Sequence, residues 1–571
     1  MRTFRFIAAA SAVGLLVLAP VPVQAETTTA GGGSAVVIDV AGTAVTPAPE
    51  VPGARRGGTL HWLQDGSPEH FDPQQIYDAL DLSTTLFFRT LTGYIEDPAG
   101  GGLRLVGDLA TNAGESTQDG RVWTFHLRPG LAFDDGSPIR STDIAYAVAR
   151  SFSVYGENGP HYLQLALDPS GAYTGPYDGG GPAPGVSTPD DQTIVFTFPV
   201  AHPEMPFIAA MPTTSPVPQA RDTGAAYEQT WVASGPYRRR SATPGESLLL
   251  ERNPYWNPSS DPIRHQYPDL VAFDWTASRA DQTDRVRAGV GEDAAAVMTA
   301  NVSPEQIAAV QADPGLLART LAGPTPTARY LNINTARVRD VSVRRALNVA
   351  FDRAAFVDSL GGSAVATPST TILAPTVPGY RSYNAYPAGA HGDPARARQL
   401  LQGARPQLTM CFADTEDEVQ SAGVVRDGLQ RAGFRITLRP IDVDAFYTTI
   451  GTRGTTCDLM STGWVADFPD GDSTLRVTLD GNLIADAGNI NFSYFDSPVV
   501  NAGLEWLAGR PDRTATAPAY GLADEAIMAG YAPLVPTIYV NAFSLYGPKV
   551  GGVFLSRLYG LPNIANAFVM A

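Results

Sequence analysis

Lysine is almost absent from this chain. Lys549 is the one lysine among 40 basic residues, set against 57 acidic residues for a formal charge of −17. The shortage of lysine reads as codon usage in a GC-rich genome, but the deficit of positive charge has chemical consequences. It argues against nucleic acid and anionic membrane surfaces as partners, since both are polyanions. Cysteine is nearly as scarce, with only Cys411 and Cys457. The seven histidines form no short-spaced pair with another His, Cys or carboxylate that matches a zinc site. No Gly-x-Ser-x-Gly elbow and no phosphate loop is present, which removes the commonest signatures of hydrolase and nucleotide chemistry. Beyond the N-terminus no apolar run reaches the ~20 residues that a membrane-spanning helix needs.

What is present begins with a targeting segment. Arg2 and Arg5 precede an apolar run from Phe6 to Ala19. Pro20 and Pro22 follow, and Val23-Gln24-Ala25 places small residues where a signal peptidase cuts. Residues 1–25 are therefore expected to be a signal peptide, the alternative being an uncleaved anchor. No cysteine lies near the cleavage point, so no lipoprotein anchor is expected. Residues 26–57, rich in Thr, Gly, Ala, Val and Pro with few bulky apolar residues, read as a disordered leader. The remaining chain, with 44% hydrophobic and 17% charged residues over a total of 571, is an ordinary globular composition too long for one core. It predicts two or more lobes.

Strands and helices alternate through it. Gly58–Trp62, Val122–Leu127 and Gln192–Phe198 read as strands. Phe133–Pro138 is a turn, and Ser141 or Thr142 is a candidate cap for a helix whose apolar face holds Ile144, Val148 and Phe152. In the second half Asp340 is expected to cap Val341–Phe351, and Asp393 with Pro394 to open another helix. Strands at Gln407–Phe412, Phe434–Pro440 and Cys457–Ser461 are separated by helices at Glu418–Ala432 and Asp444–Thr449. That β-α-β-α-β order predicts a parallel sheet. If the strands holding Cys411 and Cys457 are neighbours, the two can be bridged; otherwise they are buried thiols. Asp134-Asp135 reads as a polar turn, and Asp467 with Asp470 lies on one turn, too close to oppose across a scissile bond.

The segment Leu459–Asp470 carries the most chemistry. An apolar strand is expected to turn at Gly463 and to deliver Trp464 and Asp467 where the strand ends, the edge at which open α/β sheets bind ligands. An indole and a carboxylate three residues apart suit capture of a small cationic group. The plainer alternatives are core packing for Trp464 and a turn carboxylate for Asp467.

This segment resembles the Gly-Trp-x-x-Asp-Tyr-x-(Asp/Glu)-Pro stretch of solute-binding protein family 5, the peptide-binding proteins of ABC importers. Other motifs follow in the family's order: Leu105-Val-Gly-Asp-Leu-Ala110, Trp123-Thr-Phe-His-Leu-Arg128, Phe133-Asp-Asp-Gly-Ser-Pro138, Ala233-Ser-Gly-Pro-Tyr237, Glu251-Arg-Asn-Pro-Tyr-Trp256 and the run from Asp340 to Arg353. The resemblance implies an α/β, two-lobe periplasmic-binding-protein-like fold (class II) with an extra subdomain in the first lobe. Lobe I would span 58–330, including an insertion roughly at 81–188, and lobe II 331–532. Residues 533–571 would return to lobe I, with hinge crossings near 329–335 and 531–540. It implies a monomer without cofactor or catalytic activity. Working outside the cytoplasm, this monomer would capture a peptide or other small solute for a membrane permease and its ATPase subunits. Asp467 would hold the ligand's α-ammonium, Trp464 would wall the pocket and Gly463 would offer backbone hydrogen bonds. One departure stands out. Where some family members place an arginine for the ligand's carboxylate, this chain has Ser461, and the stretch Glu418-Val-Gln420 has none either. A non-peptide solute such as an oligosaccharide or nickel chelate, a secreted hydrolase, or an interaction module are the alternative readings.

Overall fold

The computed structural model of the protein describes residues 36–40, 44–77, 85–98, 102–156, 158–177 and 179–571. The expected signal peptide and the first part of the expected leader lie outside the described residues. Among those described, no helix is long and apolar enough to cross a membrane.

The first half contains β1 (Val36–Ile38), β2 (Thr59–Leu63), β3 (Thr92–Glu96), β4 (Leu103–Gly107), β5 (Glu115–Thr117), β6 (Val122–His126), β7 (Val186–Asp190) and β8 (Thr193–Thr197). It continues with β9 (Tyr237–Thr243), β10 (Ser247–Arg252), β11 (Leu270–Asp274) and β12 (Ala296–Met298). The central sheet of lobe I has the order β12-β2-β11-β10-β9, and the extra sheet the order β5-β6-β8-β7. A third sheet, β1-β4-β3, stands beside them. The extra sheet thus lies between Glu115 and Thr197, displaced from the expected 81–188, and β3 and β4 belong to a different sheet. Alternation explains β6: Trp123 and Phe125 are buried while His126 is exposed. The helix Ser141–Arg150 closes this subdomain with Ile144 and Val148 fully buried. Its start is not capped by Ser141 or Thr142. The Asp143 carboxylate accepts from the Arg140 N–H at 2.8 Å, and the Ser141 hydroxyl donates to the Asp190 carbonyl at 2.6 Å.

The expected disordered leader is partly ordered. β1 lies parallel to β4, the Asp39 N–H donates to the Leu105 carbonyl, and the Ala48 N–H donates to the Asp261 carbonyl. Backbone pairing needs no bulky side chains, so a composition that promises no core of its own can still dock on an existing edge.

The second half builds one six-stranded sheet from β13 (Thr320–Ile333), β14 (Ala366–Pro368), β15 (Gln407–Ala413), β16 (Arg435–Ile441), β17 (Leu459–Val465) and β18 (Leu534–Leu545), in the order β14-β18-β13-β17-β15-β16. β15 runs parallel to both β16 and β17, as the alternation of elements requires. Helices Val341–Ala350, Pro394–Leu401 and Glu416–Arg431 start at Asp340, Asp393 and Thr415, whose side chains accept from Ser342, Arg396 and Glu418 N–H groups. Leu347, Ala397 and Leu429 seal one large core against the sheet.

β13 and β18 each serve both lobes. Ala328–Asn332 pairs with Leu534–Tyr539 within the lobe II sheet, and Thr320–Pro324 pairs with Asn541–Leu545. The latter end packs Phe543 and Leu545 against Leu63 and Met298 of lobe I. The ladder is interrupted between Pro324 and Ala328. The strands pass between lobes there, earlier on the first strand than the expected 329–335. Pro324 borders this gap and Pro326 lies in it, and proline, which only removes a donor, is tolerated where a ladder is broken.

Cys411 and Cys457 are joined, with Cα atoms 5.7 Å apart, in a buried cluster with Ile441, Phe446 and Met460. Thiol labelling of the denatured, unreduced protein should therefore find no free thiol. Reduction should lower stability by about 3–4 kcal/mol on chain-entropy grounds; two labelled cysteines in the unreduced protein would contradict the bridge.

Candidate functional site

The site is built on β17 and the loop after it. β17 does not turn at Gly463; it stays paired with β13 through Val465, with Gly463 opposite Arg329. A Cβ at Gly463 would come within 3.2 Å of the Ala328 carbonyl oxygen and of the Arg329 Cγ, so a side chain there would crowd the neighbouring strand. The Asp458 carbonyl accepts from the Asn334 N–H and the Ala466 N–H donates to the Pro326 carbonyl, so even-numbered residues turn their backbone groups toward β13. By alternation, those of Gly463 and Val465 face the other edge. Pairing with β15 on that edge ends at Met460.

The loop that follows is clamped. The Trp464 indole N–H donates to the Ser473 carbonyl at 2.8 Å, and the Ser473 hydroxyl donates to the Phe468 carbonyl at 2.7 Å. Asp470 is not a ligand group. It accepts two bonds from the buried Arg513 guanidinium, at 2.7 and 2.9 Å. Gly471 lets the helix Arg513–Tyr531 approach, since a Cβ there would lie 2.5 Å from the Tyr520 Cβ.

This clamp presents Asp467 to lobe I. Gly463, Trp464, Val465 and Asp467 line a cavity of about 510 Å³ together with lobe I residues including Tyr77 and Phe207. The Tyr77 hydroxyl donates to Asp467 Oδ2 at 3.3 Å, and the Tyr162 hydroxyl donates to the same oxygen. Phe468 stacks on Phe207 with ring centres 5.5 Å apart and meets the Tyr162 ring edge-on at 5.4 Å. Arg279 of lobe I pairs with Asp417 of lobe II at 3.0 Å. The two lobes are thus closed on each other, with a carboxylate at the seam.

The electrostatics follow from that closure. Burial raises the Asp467 carboxyl to about 7, and the two phenol hydrogen bonds oppose the shift without cancelling it. Asp467 is half-buried: it lines the cavity, and Tyr77 and Tyr162 cover one carboxylate oxygen. Burial first, and the adjacent carboxylate second, push the Tyr77 and Tyr162 phenols well above their ordinary value, so both remain donors. The other charged groups on the described lining are Glu69 at the rim and Arg264. Arg264 is already bonded to Asp108 at 2.7 Å and Asp261 at 3.3 Å. The cavity therefore carries uncompensated negative charge.

The structure brings the three expected residues, Gly463, Trp464 and Asp467, to one cavity, beside Tyr77, Tyr162 and Phe207, which the sequence did not single out. No spacing could have joined them, because Tyr77 and Tyr162 stand 390 and 305 residues from Asp467. The two positions where a carboxylate-binding arginine was sought, Ser461 and Glu418, are both touched by Arg329 from β13.

The family model for bacterial extracellular solute-binding proteins, family 5, middle region, matches residues 104–484. The chain belongs to this family. As a family 5 protein it is similar to the periplasmic oligopeptide-binding protein OppA of Escherichia coli (strain K12), 24% identical over 479 residues, 78% of this chain and 83% of that protein. The solved clavulanic acid biosynthesis oligopeptide binding protein 2 is 30% identical, with a TM-score of 0.84 over 95% of this chain and 100% of that one. Haemophilus influenzae OppA, solved in complex with RPPGFSPFR, shares the fold at 20% identity, with a TM-score of 0.70 over 91% of this chain and 100% of that one. The family 5 fold of two lobes with a solute cleft between them is what the sheets and the cavity describe, and its members are the solute-binding components of ABC importers.

The raised Asp467 value makes closure of the ligand-free protein pH-dependent. Closing takes up a proton between the ordinary carboxyl value of 3.8 and about 7. Below that window the group is neutral in both open and closed forms, and closure is unopposed. As pH rises through about 7 the closed form loses this advantage. The closed population of ligand-free protein, followed by small-angle scattering, should fall from about pH 4 to about pH 8, and Asp467→Asn should flatten the profile. A wild-type profile as flat as the mutant's would mean the carboxylate is not sealed by closure.

Proposed function

We propose that this family 5 protein binds peptides by their free α-ammonium group, with Asp467 as its counter-ion, and hands them to the permease of an ABC importer. The observation that carries this reading is a carboxylate sealed at the lobe seam in a cavity with no uncompensated cation on its described lining. A bound ammonium removes the cost that burial imposes on Asp467, so ligand and closure support each other. The Tyr77 and Tyr162 oxygens, having donated their protons to the carboxylate, keep lone pairs free to accept from the same ammonium. The unpaired edge at Gly463 and Val465 suits an extended peptide backbone, which is bound without reading its side chains. Trp464 supplies apolar wall.

A ligand's carboxylate finds no unmatched cation on the described lining, since Arg264 is held by Asp108 and Asp261. Arg329 stands where one was sought but is ion-paired with Glu418. The reading therefore favours ligands whose carboxyl end lies outside the cleft. The assignment is to binding and not to catalysis: Asp470 is held by Arg513, leaving Asp467 without a second free carboxylate on its turn. Both halves of the site come from one chain, so a monomer suffices. The N-terminal segment would export it, and the periplasmic location of the OppA relative agrees with action outside the cytoplasm.

Titration calorimetry with a free-amine tripeptide and its N-acetylated form, on wild type and Asp467→Asn, tests the reading. Leaving one charge of a buried pair unpartnered costs about 2–5 kcal/mol. The mutant should therefore bind the free-amine peptide ~30-fold or more weakly. The acetylated peptide should bind wild type poorly and lose little more in the mutant. Equal binding of both peptides by both proteins would reduce Asp467 to a turn residue.

A further inference from the structure

Lobe I contains a second cavity, of about 710 Å³, lined by residues between Ser67 and Trp275 and sharing only the rim residue Glu69 with the cleft. Phe71, Tyr155, Trp231 and Trp275 contribute aromatic surface to its walls. Phe71 and Trp275 lie 5.5 Å apart, and Trp231 is backed by Phe87 at 4.5 Å, so the walls are held by the lobe core.

The charged groups on this lining differ in how they are matched. Glu228 accepts from the His70 ring at 2.7 Å, from the Phe71 and Asp72 N–H groups at 2.7 and 3.1 Å, and from the Gln75 amide at 3.1 Å. Its capacity is used. Arg239, on β9, is partly buried with its guanidinium 5.4 Å from the Trp231 ring centre, and it donates one bond to the Gln229 carbonyl. It has no carboxylate within ion-pair distance among the described residues. Of its neighbours on the same sheet, Arg238 pairs with Glu251 at 2.8 Å and Arg252 with Asp269 at 3.1 Å, while the exposed Arg240 has no ion pair among the described residues. Burial lowers the Arg239 value, and the charge of Asp134, beyond ion-pair distance, opposes the shift without cancelling it. Trp275, only 4% exposed, leaves its indole N–H without an acceptor among the described residues.

A partly buried guanidinium beside one indole, on a lining with further aromatic side chains, is matched by one chemical class. We propose that this cavity is a second ligand site, for a carboxylate borne on an aromatic or branched aliphatic group. The fork of Arg239 takes the carboxylate and the aromatic walls take the apolar body. Two sources share this chemistry. One is the carboxyl-terminal residue of a peptide whose amino end lies in the cleft, reached past Glu69. The other is a separate small carboxylic acid.

The probe is N-acetyl-phenylalanine, which has no ammonium for Asp467. Calorimetric titration should show it binding wild type and Asp467→Asn equally. Arg239→Gln should weaken it at least tenfold, and N-acetyl-phenylalanine amide should not bind. Arg239→Lys keeps the charge and loses the fork; it should bind the probe between wild type and Arg239→Gln, and it preserves the test if the glutamine variant folds poorly. Absence of probe binding to wild type overturns the proposal. So does equal binding by the amide, or equal binding by either Arg239 variant. Because Asp467→Asn is a separate arm, failure here leaves the ammonium reading intact, and the converse also holds. The sources are separated with free-amine Ala-Ala-Phe. A peptide spanning both cavities loses affinity in Arg239→Gln and in Asp467→Asn, whereas a peptide confined to the cleft is indifferent to Arg239.

Discussion

A carboxylate enclosed at a seam between two lobes is stable as a charge only when a cation shares the enclosure. Asp467 meets this constraint with two tyrosine hydroxyls and no cation, and its proton affinity rises accordingly. Much of the surrounding architecture serves to bring about that enclosure. Phe468, the next residue, carries apolar surface across the seam onto Phe207 and Tyr162, so the motion that buries the charge also buries aromatic rings. Apolar burial favours closing regardless of ligand, and carboxylate burial opposes it unless the charge is answered. On the proposed reading, the balance between those terms lets a bound ammonium decide the state of the lobes.

Such a balance requires a rigid presentation of the carboxylate. The loop beyond β17 is held by the Trp464–Ser473 and Ser473–Phe468 hydrogen bonds and by the Asp470–Arg513 pair. Lobe I is anchored comparably beneath the cavity, where Arg89 and Arg264 share Asp108 and Asp261. Those four side chains are nearly inaccessible to solvent and mutually neutral, so Arg264 contributes shape to the cavity without contributing net charge. Buried ion pairs are poor sources of stability but strong sources of fixed geometry when every partner is matched.

The two cavities divide opposite charges between them. The cleft holds an unanswered carboxylate, and the lobe I cavity holds an unanswered guanidinium at Arg239. On a chain of charge −17, Arg239 differs from Arg238 and Arg252 on the same sheet, which are ion-paired, and from Arg240, which is exposed, in combining partial burial with the lack of an ion pair among the described residues. The lobe seam shields the first charge, whereas the core of one lobe shapes the second, so only the first is coupled to hinge motion.

Local rules made a large part of this protein legible from its residues. Helix starts at Asp340 and Asp393, the strands at Val122 and Gln407, and the parallel order of the second half follow from capping chemistry and hydrophobic period. Both act within a few residues of chain. The motif around Gly463, Trp464 and Asp467 was legible because it is contiguous. Tertiary structure alone decided the rest. Gly463 reads as a turn until β13 is seen to continue pairing past it. The leader reads as unstructured until the edge of β4 receives Val36–Ile38. Tyr77 and Tyr162 have no signature in the chain at all. A phenol becomes a partner of Asp467 only when lobe closure brings together residues 390 and 305 positions apart, and proximity of that kind is set by packing and not by sequence spacing.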